Sequence, residues 1–201
     1  MFNLNINKYK VECNFSINKA LNSTRKVKLK DLFKECGEIT SNRETFLVVN
    51  KSEKVFITPT GVLIEGINFK RIIEYFNSIL KILAVDNPYE QDILEVSSVY
   101  ILEKGNEVIG IDFQEEIIRK IFNIVSEEKR VILSLEFLSL LKENIIVDNK
   151  FNISNKGLVV NVSLNIDKGL YIEDTASIID NYVKDKLEKE INYKLGVEVN
   201  E

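Results

Sequence analysis

The chain has 201 residues, 27 Lys and Arg against 31 Asp and Glu, and a net charge of −4; 45% of it is hydrophobic and 29% charged. This is the composition of an ordinary globular protein, long enough for one domain or two small ones without disulfide or metal staples. Histidine and tryptophan are absent, which excludes Ser-His and Cys-His nucleophile pairs in cis and removes the commonest zinc ligand.

Further exclusions follow from the motifs. Cys13 and Cys36 are too few for a zinc site and are expected as buried thiols in a reducing cytosol. The start Met1-Phe2-Asn3-Leu4-Asn5-Ile6 alternates apolar residues with asparagine, unlike the unbroken apolar core of a signal peptide. No stretch approaches about 18 uncharged apolar residues, so a cytoplasmic protein without a membrane span is expected. Neither glycine-rich phosphate loop occurs, so no nucleotide or other cofactor is implied. Heavy use of lysine, asparagine and isoleucine reads as the coding bias of an AT-rich bacterial or phage genome.

Along the chain, Phe2, Leu4 and Ile6 alternate on even positions, then Tyr9, Val11, Cys13, Phe15 and Ile17 on odd ones. Each run predicts a strand, and the change of phase near Asn7-Lys8 predicts a bulge or turn. Leu29, Leu32, Phe33 and Cys36 predict a short helix ending at Gly37 in a left-handed C′ position. Phe46–Val49, Val55–Thr58 and Val62–Glu65 predict two consecutive hairpins, with apolar residues on both faces and hence partial cover on both sides. Asn68 caps a helix with the stripe Phe69, Ile72, Ile73, Phe76, Leu80 and Leu83, stopped by Asp86-Asn87-Pro88. A long strand follows over 93–103.

Asp112 and Glu115 predict a capping box for a helix with the stripe Phe113, Ile117, Ile118, Ile121, Phe122 and Val125. Val131, Leu133, Leu135 and Phe137 alternate as a strand, although 136–141 reads equally as helix. Strands at 145–147 and 151–153 are expected to flank a turn at Asp148-Asn149-Lys150, because both Asp and Asn favour turns. Leu158, Val160, Val162, Leu164 and Ile166 give the clearest strand. The last helix spans about 173–195, with Ala176, Ile179, Val183, Leu187 and Ile191 inward and Lys184, Asp185, Glu188 and Lys189 on the wet face.

The expected fold is therefore α+β: a mainly antiparallel sheet of hairpins with three longer amphipathic helices packed against it. It is expected as one compact domain over 1–201, with two subdomains meeting near 104–111. Strands 46–65 before helix 68–84 echo strands 131–166 before helix 173–195, so two similar halves are conceivable. Strict β-α-β alternation is missing.

Three groups of side chains carry candidate functions. Ile145-Ile146-Val147-Asp148-Asn149-Lys150 has the apolar-strand, acid-x-lysine form of a restriction-type nuclease core, with Glu136 as the nearest second acid for a Mg²⁺ site. Asp112, Glu115 and Glu116 read better as first-turn acids complementing a helix dipole. Residues 1–34 carry eight Lys/Arg against Glu12 and Asp31, so +6 against −10 for the rest. Within them Arg25, Lys26, Lys28, Lys30 and Lys34 form a basic cluster able to track phosphates, but without exposed aromatics for base stacking.

Lys184, Asp185, Glu188 and Lys189 mark the last helix as a partner-binding or dimer surface. The strands at 2–17 and 158–166 have asparagine faces able to pair with a second chain at a sheet edge. With so little catalytic vocabulary, the leading expectation is a non-catalytic protein-binding protein of inhibitor, immunity or adaptor type. A carboxylate-metal phosphodiesterase through Asp148, Lys150 and Glu136, and a nucleic-acid-binding module, are the alternatives.

Overall fold

A computed structural model of the protein describes residues 1–85, 93–105, 107–122, 134–142, 145–155, 157–166 and 171–197. The first half contains β1 (Phe2–Asn14), α1 (Ser23–Phe33), β2 (Glu38–Ser41), β3 (Phe46–Val49), β4 (Glu53–Thr58), β5 (Gly61–Gly66) and α2 (Phe69–Leu83). The second contains β6 (Ile93–Lys104), β7 (Glu107–Val108), α3 (Ile111–Ile121), β8 (Ser134–Lys142), β9 (Ile145–Ser154) and β10 (Gly157–Asn165). It closes with α4 (Ile172–Tyr182), a π-helical turn (Val183–Leu187) and α5 (Glu188–Lys194), which form one C-terminal helix. The class is α+β as expected, with helices numbering four among the described residues and not three. The fourth is the basic segment, which Asn22 caps through Arg25 N at 2.9 Å. It therefore starts at Ser23 and is no shorter than α3.

Strand, helix, hairpin strands and helix recur in that order in both halves. In each, the first strand neighbours the last: β5 lies beside β1, and β10 beside β6. Contacts divide the chain into two compact units. Unit 1 holds Met1–Asn7, Ser98–Leu164 and Ser177–Glu201; unit 2 holds Lys8–Ser97 and Asn165–Ala176. Residues 104–111 lie inside unit 1. Three of the four divisions cut through strands and one through α4, and the one at Asn7/Lys8 coincides with the phase change legible in the sequence. No turn occurs there: β1 is continuous, with Phe2 and Leu4 buried before the change and Val11 and Cys13 after it.

In unit 2 the strand order is β2-β3-β4-β5-β1, antiparallel throughout. Val48, Val55, Ile64 and Val11 form one buried cross-strand row. Cross-strand apolar pairs of this kind stabilise a sheet by about 0.2–1 kcal/mol each. The helices supply Leu29 and Phe33 from α1 and Ile72, Phe76, Ile79 and Leu83 from α2, all buried. The second face carries the row Leu47, Phe56 and Leu63, half-buried and not fully covered.

One expected helix end is corrected, and a second falls where the sequence placed it. Gly37 is not a left-handed cap, since α1 ends at Phe33; with φ +156° it lets the chain pass Val49, whose carbonyl oxygen would lie 2.5 Å from an added Cβ. Helix α2 ends on Ala84 at φ 55°, four residues before Pro88. The expected stop at Asp86-Asn87-Pro88, and Val125, Val131 and Leu133, lie outside the described residues.

In unit 1, β8, β9 and β10 form an antiparallel meander. The expected turn at 148–150 is absent: β9 runs unbroken from Ile145 to Ser154. Asn149 is buried there, its Nδ2 donating to Val147 O and Ser139 Oγ at 3.3 Å each. Pairing with β8 and β10 on both sides thus replaces the local turn that Asp-Asn would otherwise make. The helical alternative for 136–141 also fails, because β8 extends to Lys142 in register with β9. Helix α3 starts on Gly110 without a side-chain cap, so Asp112 and Glu115 form no capping box. Gln114 is buried instead, bonding Ile109 O, Ser154 O and Ser154 N.

The C-terminal helix presents Ile179, Val183, Leu187 and Ile191 inward at strict four-residue spacing. On a regular α-helix each such step drifts by about 40°. The π turn at Val183–Leu187 adds backbone where the drift would accumulate and keeps the stripe facing the core.

Candidate functional site

The register of unit 1 builds one feature from three strands. Glu136 stands opposite Lys150, which stands opposite Asn161; Leu138 stands opposite Asp148, which stands opposite Ser163. Alternation places all six on the sheet face opposite to Val147, Asn149 and Phe151, whose side chains are buried. Behind Asn149, Tyr182 of α4 donates its hydroxyl to Ser139 Oγ at 2.9 Å, and burial raises the Tyr182 pKa. The outer face thus rests on a sheet pinned from its inner side.

Glu136, Asp148 and Lys150, picked from the sequence as a nuclease-like set, are brought together by this register. Lys150 Nζ lies 3.8 Å from Glu136 Oε2, with both side chains about half exposed (47% and 55%). Glu136 and Asp148 are diagonal neighbours across β8 and β9, close enough for their carboxyls to act on one another. Partial burial first, and the neighbouring Glu136 charge second, raise the Asp148 pKa; Lys150 works in the opposite direction. Asp148 Oδ1 is buried without a hydrogen-bond partner among the described residues. No three Cys, Asp or Glu side chains converge on a metal position among the described residues.

Beside these charges the same face is apolar. Leu138 is 68% exposed and Ile146 56%. The described strand order ends at β8, so its outer edge lacks a neighbouring strand among the described residues.

The basic cluster is split. Lys28, Lys30 and Lys34 are exposed. The Arg25 guanidinium donates to Ala20 O at 2.8 Å and to Leu83 O at 2.9 Å, closing the end of α2, while Lys26 Nζ reaches Arg43 O at 3.4 Å. Two of five cations therefore act on backbone carbonyls, leaving three for a phosphate path.

On the C-terminal helix, Lys184, Asp185 and Lys189 are exposed, but Glu188 is buried. Its carboxylate accepts from Leu4 N at 2.7 Å and Lys184 Nζ at 2.8 Å, and Lys184 also donates to Leu4 O at 2.7 Å. Asn192 completes the set by bonding Phe2 N and Phe2 O, each at 2.8 Å. The expected wet face at Glu188 is overturned because the helix satisfies backbone groups along the start of β1.

The sequence reading missed a polar group in unit 2. Cys36 is only half-buried and its Sγ lies 3.0 Å from Tyr75 Oη. Arg71 donates to Tyr75 Oη at 2.8 Å and pairs with Glu53 at 3.0 Å. The bond to Tyr75 is the main cause of a raised Arg71 pKa, while burial and Cys36 raise that of Tyr75. No local signal links positions 36, 53, 71 and 75; only Arg71 and Tyr75, one helical turn apart, were readable as neighbours. The second missed feature is an open cavity of about 290 Å³ lined by Phe69, Lys70, Ile73, Glu74, Asn77 and Glu173.

No known protein family and no curated protein matches this chain. No helix among the described residues is long and apolar enough to cross a membrane.

Proposed function

We propose that this protein is a non-catalytic binding protein that covers a protein partner with the β8–β9 face and the β8 edge. The observation that carries this reading is the exposure of Leu138 and Ile146 as diagonal neighbours on one face of a terminal pair of strands. Edge strands present unpaired backbone donors and acceptors, and natural proteins usually shield them when they are long. A nine-residue edge strand beside exposed apolar side chains suits strand addition, in which backbone bonds give affinity and side-chain contacts give specificity. Lys184, Asp185 and Lys189 offer a second, charged surface for a partner or a second copy.

A photo-crosslinking residue at position 138, and another at exposed Ser23 as control, tests this in the native cell. One defined protein captured at 138 and not at 23, and lost on Ile146→Arg, supports the reading. Equal capture at both positions, or none at 138, would sink it.

A second reading, a metal-dependent phosphodiesterase using Asp148, Lys150 and Glu136, draws support from their convergence on one face. Incubation with Mg²⁺ or Mn²⁺ and mixed DNA and RNA, beside Asp148→Ala, decides it. Cleavage that vanishes in the variant would replace the binding reading.

A further inference from the structure

Three features make the outer face of unit 1 more than a pair of acids. Asp148 Oδ1 is buried without a hydrogen-bond partner among the described residues. A buried carboxylate oxygen in that state costs more than any ordinary polar atom unless a proton, donor or cation reaches it. Glu136, diagonal to Asp148 across β8 and β9, brings a second carboxyl to the same face.

Ser163 is the independent observation. It stands directly across from Asp148 on β10 and is only 8% exposed, and no hydrogen bond of its hydroxyl is found among the described residues. Directly opposed residues place their Cβ atoms about 4.5–5.5 Å apart on one face. Register thereby places a buried serine directly across from Asp148 on the same face.

We propose that Asp148, Glu136 and Ser163 form a binding site for a hard divalent cation of the Mg²⁺ class. All three supply oxygen, the donor such ions require, and Mg²⁺ commonly takes one or two carboxylates and keeps several waters. Three protein oxygens from two adjacent strand pairs match that pattern better than the fuller cage Ca²⁺ needs. Lys150, 3.8 Å from Glu136, offsets one of the two negative charges. Affinity follows ligand charge, so a dissociation constant of about 0.1–1 mM is expected. The site uses residues of the phosphodiesterase reading, but cation binding stands where cleavage fails.

The test uses the full chain with Mn²⁺ as probe, followed by its electron paramagnetic resonance at pH 7. One saturable Mn²⁺ per chain, displaced by Mg²⁺, is expected. Asp148→Asn weakens it about tenfold or more, and Glu136→Gln and Ser163→Ala each weaken it severalfold, with unchanged circular dichroism. Glu136 is half exposed, so its variant reports even where an altered Asp148 perturbs the sheet. Absence of saturable binding, or binding indifferent to Asp148→Asn, overturns the site. Saturable Mn²⁺ without cleavage of nucleic acid keeps the site and removes the phosphodiesterase reading.

Discussion

Asn192 shows how much one side chain contributes here. It is fully buried, and its amide serves Phe2 N, Phe2 O and Glu188 O at 2.8–2.9 Å. Asn192→Ala leaves both backbone groups of Phe2 unpaired, at a cost of about 2–3 kcal/mol in urea denaturation. Ala84 is the opposite case. A non-glycine residue at φ 55° is strained by roughly 1–2 kcal/mol, and Ala84→Gly recovers part of it against a more flexible unfolded chain. A net gain of about 0.5 kcal/mol is expected by the same measurement. Asp148 makes stability depend on pH. Its pKa is raised in the folded state, so the native protein binds more protons and loses stability as pH rises through the interval above the usual carboxylate value. Asp148→Asn should flatten the profile across that interval; an unchanged slope would show that Asp148 titrates normally.

Elements differed in how far they could be read. The hairpins β3 to β5 and helix α2 were legible because period-2 and period-3.6 patterns were long, dense and bounded by Asn50, Pro59-Thr60-Gly61 and Asn68. Strands β8 and β9 were harder. Asp148-Asn149 carries turn chemistry, and pairing with β8 and β10, with Asn149 buried, makes it strand. The outward row of this pair is surface, so Leu138→Arg is expected to change stability by less than about 0.5 kcal/mol. The same substitution should abolish partner capture at the β8–β9 face. A large loss of stability instead would place Leu138 in packing and weaken the binding reading.

At the scale of the molecule, neither compact unit is a continuous stretch of chain. Unit 1 gathers its first strand from residues 1–7 and its last helix from residues 177 onward, and Lys184, Glu188 and Asn192 bond the backbone of Phe2 and Leu4. Removing residues 1–7 therefore strips the buried Glu188 of its backbone donor and the buried Asn192 of Phe2. A loss of at least about 3 kcal/mol is expected in urea denaturation. Retention of full stability would show that the N-terminal strand is dispensable.

The candidate site was partly visible beforehand. Glu136, Asp148 and Lys150 could be picked as residue types, but Leu138, Ile146 and Ser163 could not, since nothing local marks an apolar residue as outward or a serine as opposite an acid. By itself the sequence determined the α+β class, the helix stripes, the clear strands and the absence of imidazole chemistry, because these depend on composition and on periodicities within single segments. The tertiary structure alone decided which acids meet, which cations bond carbonyls, and that Glu188 turns inward. Those outcomes depend on register and packing between segments up to 190 residues apart, and no local pattern encodes them.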